Sequence, residues 1–257
     1  MFQGKLPKGV SLHLAPQRKF REVIVFSHHF AGRQHNLHRH IRFVTELGFN
    51  AVSFDFSWHG RKAPKSFFWL PDLKRGRMGL MHQWSVEVEN ILNSLAEPRS
   101  VILYSFSGPA ASVIEAVARR VQRGEDDVKA LIFDSGPFID PWIANDNLLR
   151  LHYGIKNEIA RKSILASMVV LWGANHKKAI SADLEILDKE MPILSIRALE
   201  DKLVPCELIA GVFRGHGFRR LQVVELPGCD HLLGLKDFPE VYKPAVQSFL
   251  EKYATPL

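Results

Sequence analysis

The chain has 257 residues, of which 46% are hydrophobic and 24% charged, a composition typical of one globular domain with a sizeable core. Its formal net charge is +7, but the basic residues form short clusters rather than a coherent patch or a known module, which argues against nucleic-acid binding. The apolar runs fall short of the roughly 20 residues that span a membrane, and the first residues lack an apolar signal core, so we expect a cytoplasmic protein.

Apolar runs bounded by turn residues alternate with helical patterns along most of the chain. The predicted strands are Val10–Leu14, Val23–Ser27, Ala51–Asp55, Val101–Tyr104, Ala130–Asp134, Ile193–Ala198 and Leu221–Leu226. The predicted helices are His38–Leu47, Met78–Leu95, Pro109–Arg123, Pro205–Arg214 and Pro239–Tyr253. This alternation favours an α/β fold, with a mostly parallel sheet and helices on both faces. In such sheets the active site gathers at the carboxyl ends of the strands.

One long segment, residues 138–191, interrupts this alternation. Its pattern is helical and aromatic, and no clear strand divides it. We predict two or three helices here, forming a helical cap inserted into a core made of residues 1–137 and 192–257. Extra core helices packed on the sheet explain the same pattern equally well.

The turn after the fourth predicted strand carries the first candidate for chemistry. Its sequence is Ser105-Phe106-Ser107-Gly108-Pro109, and an amphipathic helix follows. A strand-to-helix turn of this kind exposes a side chain at a helix N-terminus, where free backbone N–H groups favour negative charge. The Ser107 hydroxyl can attack a carbonyl there, with the Gly108 N–H beside it to bind the oxyanion. Ser105 is the rival nucleophile, and a helix-capping role is the structural alternative for Ser107.

Two later strand ends carry the partners that such a serine needs. Asp201 follows Ile193–Ala198 in the sequence Asp-Lys-Leu-Val-Pro, and His231 follows Leu221–Leu226. Acyl-enzyme chemistry needs a hydroxyl nucleophile, an imidazole that takes and returns its proton, and a carboxylate that orients the imidazole. Asp134, at the end of another predicted strand, is the rival acid, but nothing like the Asp-x-x-Val-Pro context surrounds it.

Together these segments resemble the α/β-hydrolase-fold serine hydrolases, from about Val23 to Tyr253. The segment Ile24–Gly32 is similar to the family's oxyanion-loop strand, Pro192–Pro205 to its acid-bearing segment, and Leu226–His231 to its histidine segment. Ser105 and Pro109 stand where the family's turn usually has glycine. The resemblance implies a role for five residues: Ser107 as nucleophile, His231 as general base and acid, Asp201 as orienting acid, and the backbone N–H groups of Phe30 and Gly108 as oxyanion donors.

The function implied by the resemblance is cleavage of an ester or thioester of a small to medium acyl substrate. No cofactor is predicted, and no metal, because the histidines between His28 and His40 lack carboxylate or cysteine ligands at a fixed spacing. The predicted partner is a small-molecule acyl ester or thioester, with no nucleic acid and no membrane, and a homodimer is left open. The alternative is a ligand receptor or interaction protein of the same fold that turns over slowly or not at all.

The remaining features are assigned structural roles. Cys206 and Cys229 are expected to be free thiols, and the Phe67-Phe68-Trp69-Leu70 cluster is expected to be a core element. The basic clusters are expected to be solvated loops and helix ends: Lys74-Arg75-Gly76-Arg77, Arg119-Arg120 and Arg219-Arg220. A surface that attracts an anionic substrate, such as an acyl group on a phosphorylated carrier, is the alternative reading of these clusters.

Overall fold

The computed structural model describes residues 6–57, 72, 75–95 and 100–257. The described part contains seven strands: β1 (Val10–His13), β2 (Val23–Ser27), β3 (Asn50–Phe54), β4 (Val101–Phe106), β5 (Val128–Asp134), β6 (Ile193–Ala198) and β7 (Leu221–Leu226). Its α-helices are α1 (His38–Leu47), α2 (Gly79–Ser94), α3 (Ala110–Gln122), α4 (Pro141–Asn147), α5 (Glu158–Gly173), α6 (His176–Ile186), α7 (Cys206–Phe213), α8 (Gly234–Asp237) and α9 (Pro239–Tyr253). Every predicted strand and helix is present, with ends shifted by at most two residues.

All seven strands form one sheet in the order β1-β3-β2-β4-β5-β6-β7. Neighbouring strands are parallel except for β1, which is antiparallel to β3. The carboxyl ends of six strands therefore meet at one edge of the sheet, where the loops after β2, β4, β6 and β7 lie together. The predicted mostly parallel fold is confirmed.

Helices cover both faces of this sheet, and the two sets of strand residues face different cores. On β4, Val101 and Leu103 belong to the core under α2, α3, α6 and α7. Ile102, Tyr104 and Phe106 belong to the core under α1 and α9. Burial on both faces explains why the central strands β2 and β4 are nearly continuous apolar runs without polar alternation.

The segment between β5 and β6 contains three α-helices and a π-helical turn, Leu148–His152. Helix α6 packs on α3, and its residues Ala179, Ile180 and Leu184 join the main core. Helices α4 and α5 contact each other and add Ala144 and Trp172 to the main core. In addition, Leu149 of the π-helical turn packs with Leu165 and Val169 of α5 in a small separate cluster. The division of the chain into a core and a cap stays a prediction, and the Phe67–Leu70 cluster lies outside the described residues.

The arginine clusters are mostly paired with acids, and two of the arginines are buried. Arg77 Nη2 lies 2.7 Å from Asp183 Oδ1 beneath α6, and Arg120 Nη2 lies 2.5 Å from Asp127 Oδ2. The expectation of solvated side chains is therefore wrong for Arg77 and Arg120. Cys206 and Cys229 are both free thiols. In the part of the chain that the structure describes, no helix is long and apolar enough to cross a membrane.

Candidate active site

The turn between β4 and α3 holds Ser107 in a strained backbone conformation. Ser107 has φ +56°, in the left-handed region that side chains other than glycine rarely adopt. Its N–H donates to the carbonyl of Asp134 at the end of β5, at 2.9 Å. Gly136 packs so closely beneath it that a Cβ there would lie 2.3 Å from the Ser107 carbonyl oxygen. Neighbouring loops therefore fix the turn, which presents the Ser107 side chain at the strand ends.

The rival serine has a different role. Ser105 lies inside β4, directly opposite Ser27 of β2, and is fully buried. The Ser27 hydroxyl donates a hydrogen bond to Ser105 Oγ at 2.5 Å. Ser105, which stands where the sequence resemblance leads us to expect a glycine, is therefore a structural residue whose hydroxyl is satisfied inside the sheet.

Asp201 and His231 lie in contact, in the loops that follow β6 and β7. The Nδ1 atom of His231 lies 2.5 Å from Asp201 Oδ2. The other carboxylate oxygen accepts the backbone N–H groups of Leu203 at 2.9 Å and Val204 at 2.8 Å. The Asp-x-x-Val-Pro pattern thus has a physical basis, because one carboxylate both closes its own turn and holds the imidazole. His231 also receives support from Asp230, whose Oδ1 accepts the His231 N–H at 2.7 Å.

The rival acid, Asp134, lies nearby but does not contact His231. Its carboxylate accepts hydrogen bonds from the hydroxyls of Tyr242 at 2.7 Å and Ser135 at 2.9 Å. Burial raises the pKa of Asp134, and these two hydrogen bonds oppose that effect. Ser135 Oγ also accepts the N–H of Leu232, the residue after His231, at 3.2 Å. Asp134 and Ser135 therefore support the loops beneath the site.

The loop after β2 places Phe30 opposite the Ser107 turn. The loop is tight, since Ala31 has φ +58° and Gly32 N–H donates to the His29 carbonyl at 2.9 Å. Within the described residues, neither the Phe30 N–H nor the Gly108 N–H donates to a backbone carbonyl. Both residues line the same cavity.

This cavity has a volume of about 260 Å³ and joins the strand ends to the segment between β5 and β6. Strand-end loops contribute Phe30, Ser107, Gly108, Leu203, Val204, His231 and Leu232, among others. The inserted segment contributes Phe138, Ala144, Asn145, Leu148, His152, Tyr153 and Trp172. Among the described residues no hydrogen bond joins Ser107 to His231, although both line the cavity. The structure therefore brings four predicted site residues to one cavity and places the fifth, Asp201, behind His231.

The comparisons by sequence and by structure give different results. No protein-family model matches the sequence, and no curated protein sequence is similar to it. A monoacylglycerol lipase from Paleococcus ferrophilus matches with a TM-score of 0.64 at 16% identity, over 95% of this chain and 98% of that chain. An esterase from Pyrococcus furiosus matches with a TM-score of 0.62 at 15% identity, over 99% and 92%. An α/β-hydrolase enzyme from a lagoon-sediment metagenome of Mar Chica, Morocco, matches with a TM-score of 0.64 at 14% identity, over 96% and 97%.

The chain has the α/β-hydrolase fold. The fold expected from the sequence resemblance is thus confirmed. At these identities the matches establish the architecture and leave the reaction to be argued from the site. Within the α/β-hydrolase fold, Ser107, Asp201 and His231 lie in the loops after β4, β6 and β7.

Sequence reasoning missed the residues that shape this cavity from below and from the side. Ser135 and Gly136 follow β5 directly, and their turn-forming residue types were a signal that a loop here approaches the strand ends. Phe138 and Trp172 are two of several aromatic residues in the inserted segment. The local sequence does not distinguish rings that line the cavity from rings that pack in the core. His176, which contacts both rings, had no sequence signal of its own.

Proposed function

We propose that the protein is a serine hydrolase that cleaves an acyl ester or thioester through a covalent acyl-enzyme. The observation that carries this proposal is the 2.5 Å contact between His231 Nδ1 and Asp201 Oδ2, with His231 and Ser107 lining one cavity. A carboxylate on Nδ1 keeps the proton of the neutral ring on that nitrogen, so Nε2 is left to accept a proton. These are the relations expected of a nucleophile, its base and an orienting acid.

In the proposed reaction Ser107 Oγ attacks the carbonyl carbon while His231 Nε2 takes the hydroxyl proton. Asp201 stabilises the imidazolium that forms. His231 then protonates the leaving alcohol or thiol, and Ser107 keeps the acyl group. Water attacks this acyl-enzyme with His231 as base, which releases the carboxylic acid and restores Ser107. His231 must approach Ser107 Oγ to hydrogen-bond distance, a contact that commonly tightens only with substrate in place.

The backbone N–H groups of Phe30 and Gly108 are the proposed donors to the oxyanion. Two observations support this assignment: both residues line the cavity together with Ser107, and neither N–H group has a backbone acceptor among the described residues. Fixed donors aimed at a developing oxyanion are commonly a large part of the rate enhancement in acyl transfer.

The substrate class is supported by the cavity and by the structural neighbours. The lining is mainly apolar and aromatic, which suits an acyl group. Two neighbours are a lipase and an esterase, names that denote ester cleavage in those proteins. The ion pairs made by the arginine clusters give no particular support to a phosphorylated thioester carrier. Matched oxygen and sulfur esters of one acyl group decide between the two bonds.

Covalent labelling tests the proposal directly. A fluorophosphonate probe is expected to modify wild-type protein at Ser107, with the site mapped by mass spectrometry. Ser107→Ala should lose labelling and about 10³-fold or more of kcat, since the nucleophile is gone. Ser105→Ala is the matched control, because that serine is buried in β4. This variant should still be labelled at Ser107. Unchanged hydrolysis by Ser107→Ala would reject the proposal.

Turnover separates an enzyme from a slow receptor of the same fold. An enzyme should process an activated ester many times per site, whereas a receptor should release about one equivalent of alcohol and then stall, as when an acyl-enzyme accumulates. A burst followed by no steady state would favour the receptor.

A further inference from the structure

One wall of the cavity is aromatic and lies directly against the turn that carries Ser107. Phe30, Phe138 and Trp172 all line the cavity. A Cβ built on Gly108 would lie 3.1 Å from Phe138 Cε1 and 3.3 Å from Trp172 Cη2. The Trp172 ring centroid lies 6.2 Å from that of Phe138 and 6.0 Å from that of Phe30. An acyl group on Ser107 would therefore be close to aromatic surface.

A buried histidine holds two of these rings in place. Trp172 Nε1 donates a hydrogen bond to His176 Nδ1 at 3.1 Å, and His176 Nε2 donates to the Phe138 carbonyl at 2.8 Å. An indole N–H can only donate and a carbonyl can only accept, so these partners require a neutral imidazole with its proton on Nε2. His176 is 2% exposed, and burial lowers its pKa, which agrees with a neutral ring. The wall thus rests on two directional bonds as well as on packing.

The cavity also limits the size of what it can hold. Since an apolar cavity of about 150 Å³ holds benzene, with six carbon atoms, one of about 260 Å³ has room for about ten non-hydrogen atoms. Reshaping the wall around a long chain would break hydrogen bonds to a buried imidazole, which is costly. A compact group is therefore favoured over a long one.

We propose that this cavity is a pocket for compact aromatic acyl groups, such as phenylacetyl, and that His176 is the positioning residue that sets this preference. The inference rests on the proposed function, because it names the substrate class of the same site. A flat ring makes offset or edge-to-face contacts with the rings of the wall. A linear chain with as many atoms gains burial without those contacts, and it loses more rotational freedom on binding.

The geometry of the proposed reaction assigns the acyl part of the ester, and not the alcohol part, to this wall. His231 must reach the leaving group in order to protonate it, and the Gly108 N–H must reach the carbonyl oxygen. The aromatic wall packs against Gly108. The proposal therefore directs the substituent on the carbonyl carbon to the Gly108 side, against Phe138 and Trp172, and the alcohol part to the His231 side.

The test compares two p-nitrophenyl esters, the phenylacetate and the octanoate, whose acyl groups contain equal numbers of carbon atoms. Each kcat/KM is divided by the alkaline hydrolysis rate of that ester, so that intrinsic reactivity cancels. Wild type is expected to favour phenylacetate by about tenfold, the gain expected from aromatic contacts. His176→Leu should lose this preference, mainly through a higher KM for phenylacetate. His176→Gln should restore most of it, since an amide can accept from Trp172 and donate to the Phe138 carbonyl.

Two controls show that the His176 variants keep the reacting groups in place. The acetate ester of the same alcohol has only a methyl group to place against the wall, so its kcat/KM should stay within about twofold in all three proteins. Labelling of Ser107 by a small fluorophosphonate should also be unchanged. Trp172→Phe supplies a second variant if His176→Leu does not fold, because it keeps a ring and removes only the N–H donor and part of the surface.

The outcomes separate this inference from the proposed function. Labelling at Ser107 together with no preference for phenylacetate, or with a preference that His176→Leu leaves unchanged, would overturn the inference alone. A preference that instead follows the alcohol, seen with benzyl and heptyl acetates, would overturn it as well. Absence of both labelling and hydrolysis in folded wild type would reject the proposed function and the inference with it.

Discussion

The cavity has two walls that are built in different ways. The strand-end wall, formed by the loops after β2, β4, β6 and β7, is held by directional contacts, such as Ser107 N–H to the Asp134 carbonyl and Leu232 N–H to Ser135 Oγ. The insertion wall, formed by residues 138–176, packs on the main core through Phe138, Ala144 and Trp172, and its outer part rests on a small separate apolar cluster. It also leaves many large apolar side chains exposed: Trp142, Ile143, Leu151, Tyr153, Ile159, Ile164, Val170 and Leu171.

The difference separates two tasks. Groups that make and break bonds must be held within a fraction of an ångström, which favours constrained backbone and hydrogen bonds. A surface that selects the shape of a substrate can be held by apolar packing alone, which adjusts more easily to a bound group than hydrogen-bonded backbone does. The two bonds of His176 are the exception within the second wall, and they lie where it meets Ser107. Substitutions in the strand-end wall should therefore change reactivity, and those in the insertion should change binding.

The largest expected effect comes from Gly136→Ala, in the strand-end wall. The new Cβ would lie 2.3 Å from the Ser107 carbonyl oxygen and 2.7 Å from its Cα, so the turn must move. We expect about a 100-fold loss in kcat/KM and slower labelling of Ser107, since small displacements of reacting groups are this costly. Gly154→Ala in the insertion is the control: its φ of +66° makes alanine locally strained, but a Cβ there meets nothing within 4 Å, so the strain stays in an exposed loop. Equal rates of Ser107 labelling in the two variants would contradict the difference between the strand-end wall and the insertion wall.

His40→Phe, beneath the strand-end wall, should change how the free energy of unfolding of the protein depends on pH. Burial lowers the pKa of His40 from 6.5 to about 3, and its neighbours are Tyr104, Tyr242 and Asp134. Below pH 6.5 the unfolded chain binds a proton that the folded protein refuses, so this residue lowers the free energy of unfolding as the pH falls.

The expected loss through His40 is roughly 2–3 kcal/mol between pH 6.5 and 4.5. His40→Phe should be spared this loss, since both ring nitrogens are buried without a hydrogen-bond partner among the described residues. Urea unfolding of both proteins at several pH values measures the difference. Parallel pH curves for the two proteins would contradict the assignment, whatever Asp134 contributes to each.

Ser135→Ala should have a smaller effect, on kcat. The substitution removes the hydroxyl that bridges Asp134 Oδ1 and the N–H of Leu232, whose φ of +60° needs such support. We expect kcat to fall about tenfold with little change in KM, because His231 loses a fixed neighbour. Ser112→Ala is the matched control, a buried serine whose hydroxyl has no partner among the described residues. A change in KM alone would place Ser135 with the binding surface.

The smallest expected effect comes from Leu165→Ala in the insertion. Leu165 is buried in the apolar cluster that joins the π-helical turn to α5, so its loss should weaken that region by about 2–3 kcal/mol. KM should rise about fivefold while kcat and labelling at saturating probe stay near wild type. The adjacent Ile164→Ala, at a residue that is 41% exposed, should change neither constant. A fall in kcat would show that the insertion also positions the reacting groups.

Most of the architecture could be predicted from the sequence, because strands buried on both faces are recorded as apolar runs and their ends as turn residues. The run Val101–Tyr104 followed by small residues is an example, although β4 continues to Phe106. The solvation of Arg77 and Arg120 was mistaken for a related reason. Their acidic partners Asp183 and Asp127 lie in other elements or turns, and local composition does not report such pairs.

The sequence by itself determined the order of the strands along the chain, the turn at Ser107 and the presence of acidic and histidine residues at the strand ends, since these depend on local pattern. Only the tertiary structure decided that Asp201 contacts His231 and Asp134 does not, because that choice depends on how distant loops pack. Likewise, only the fold brings His176 to the Phe138 carbonyl, 38 positions away in the chain. Periodicity reports which residues are buried, whereas three-dimensional packing determines which of them meet.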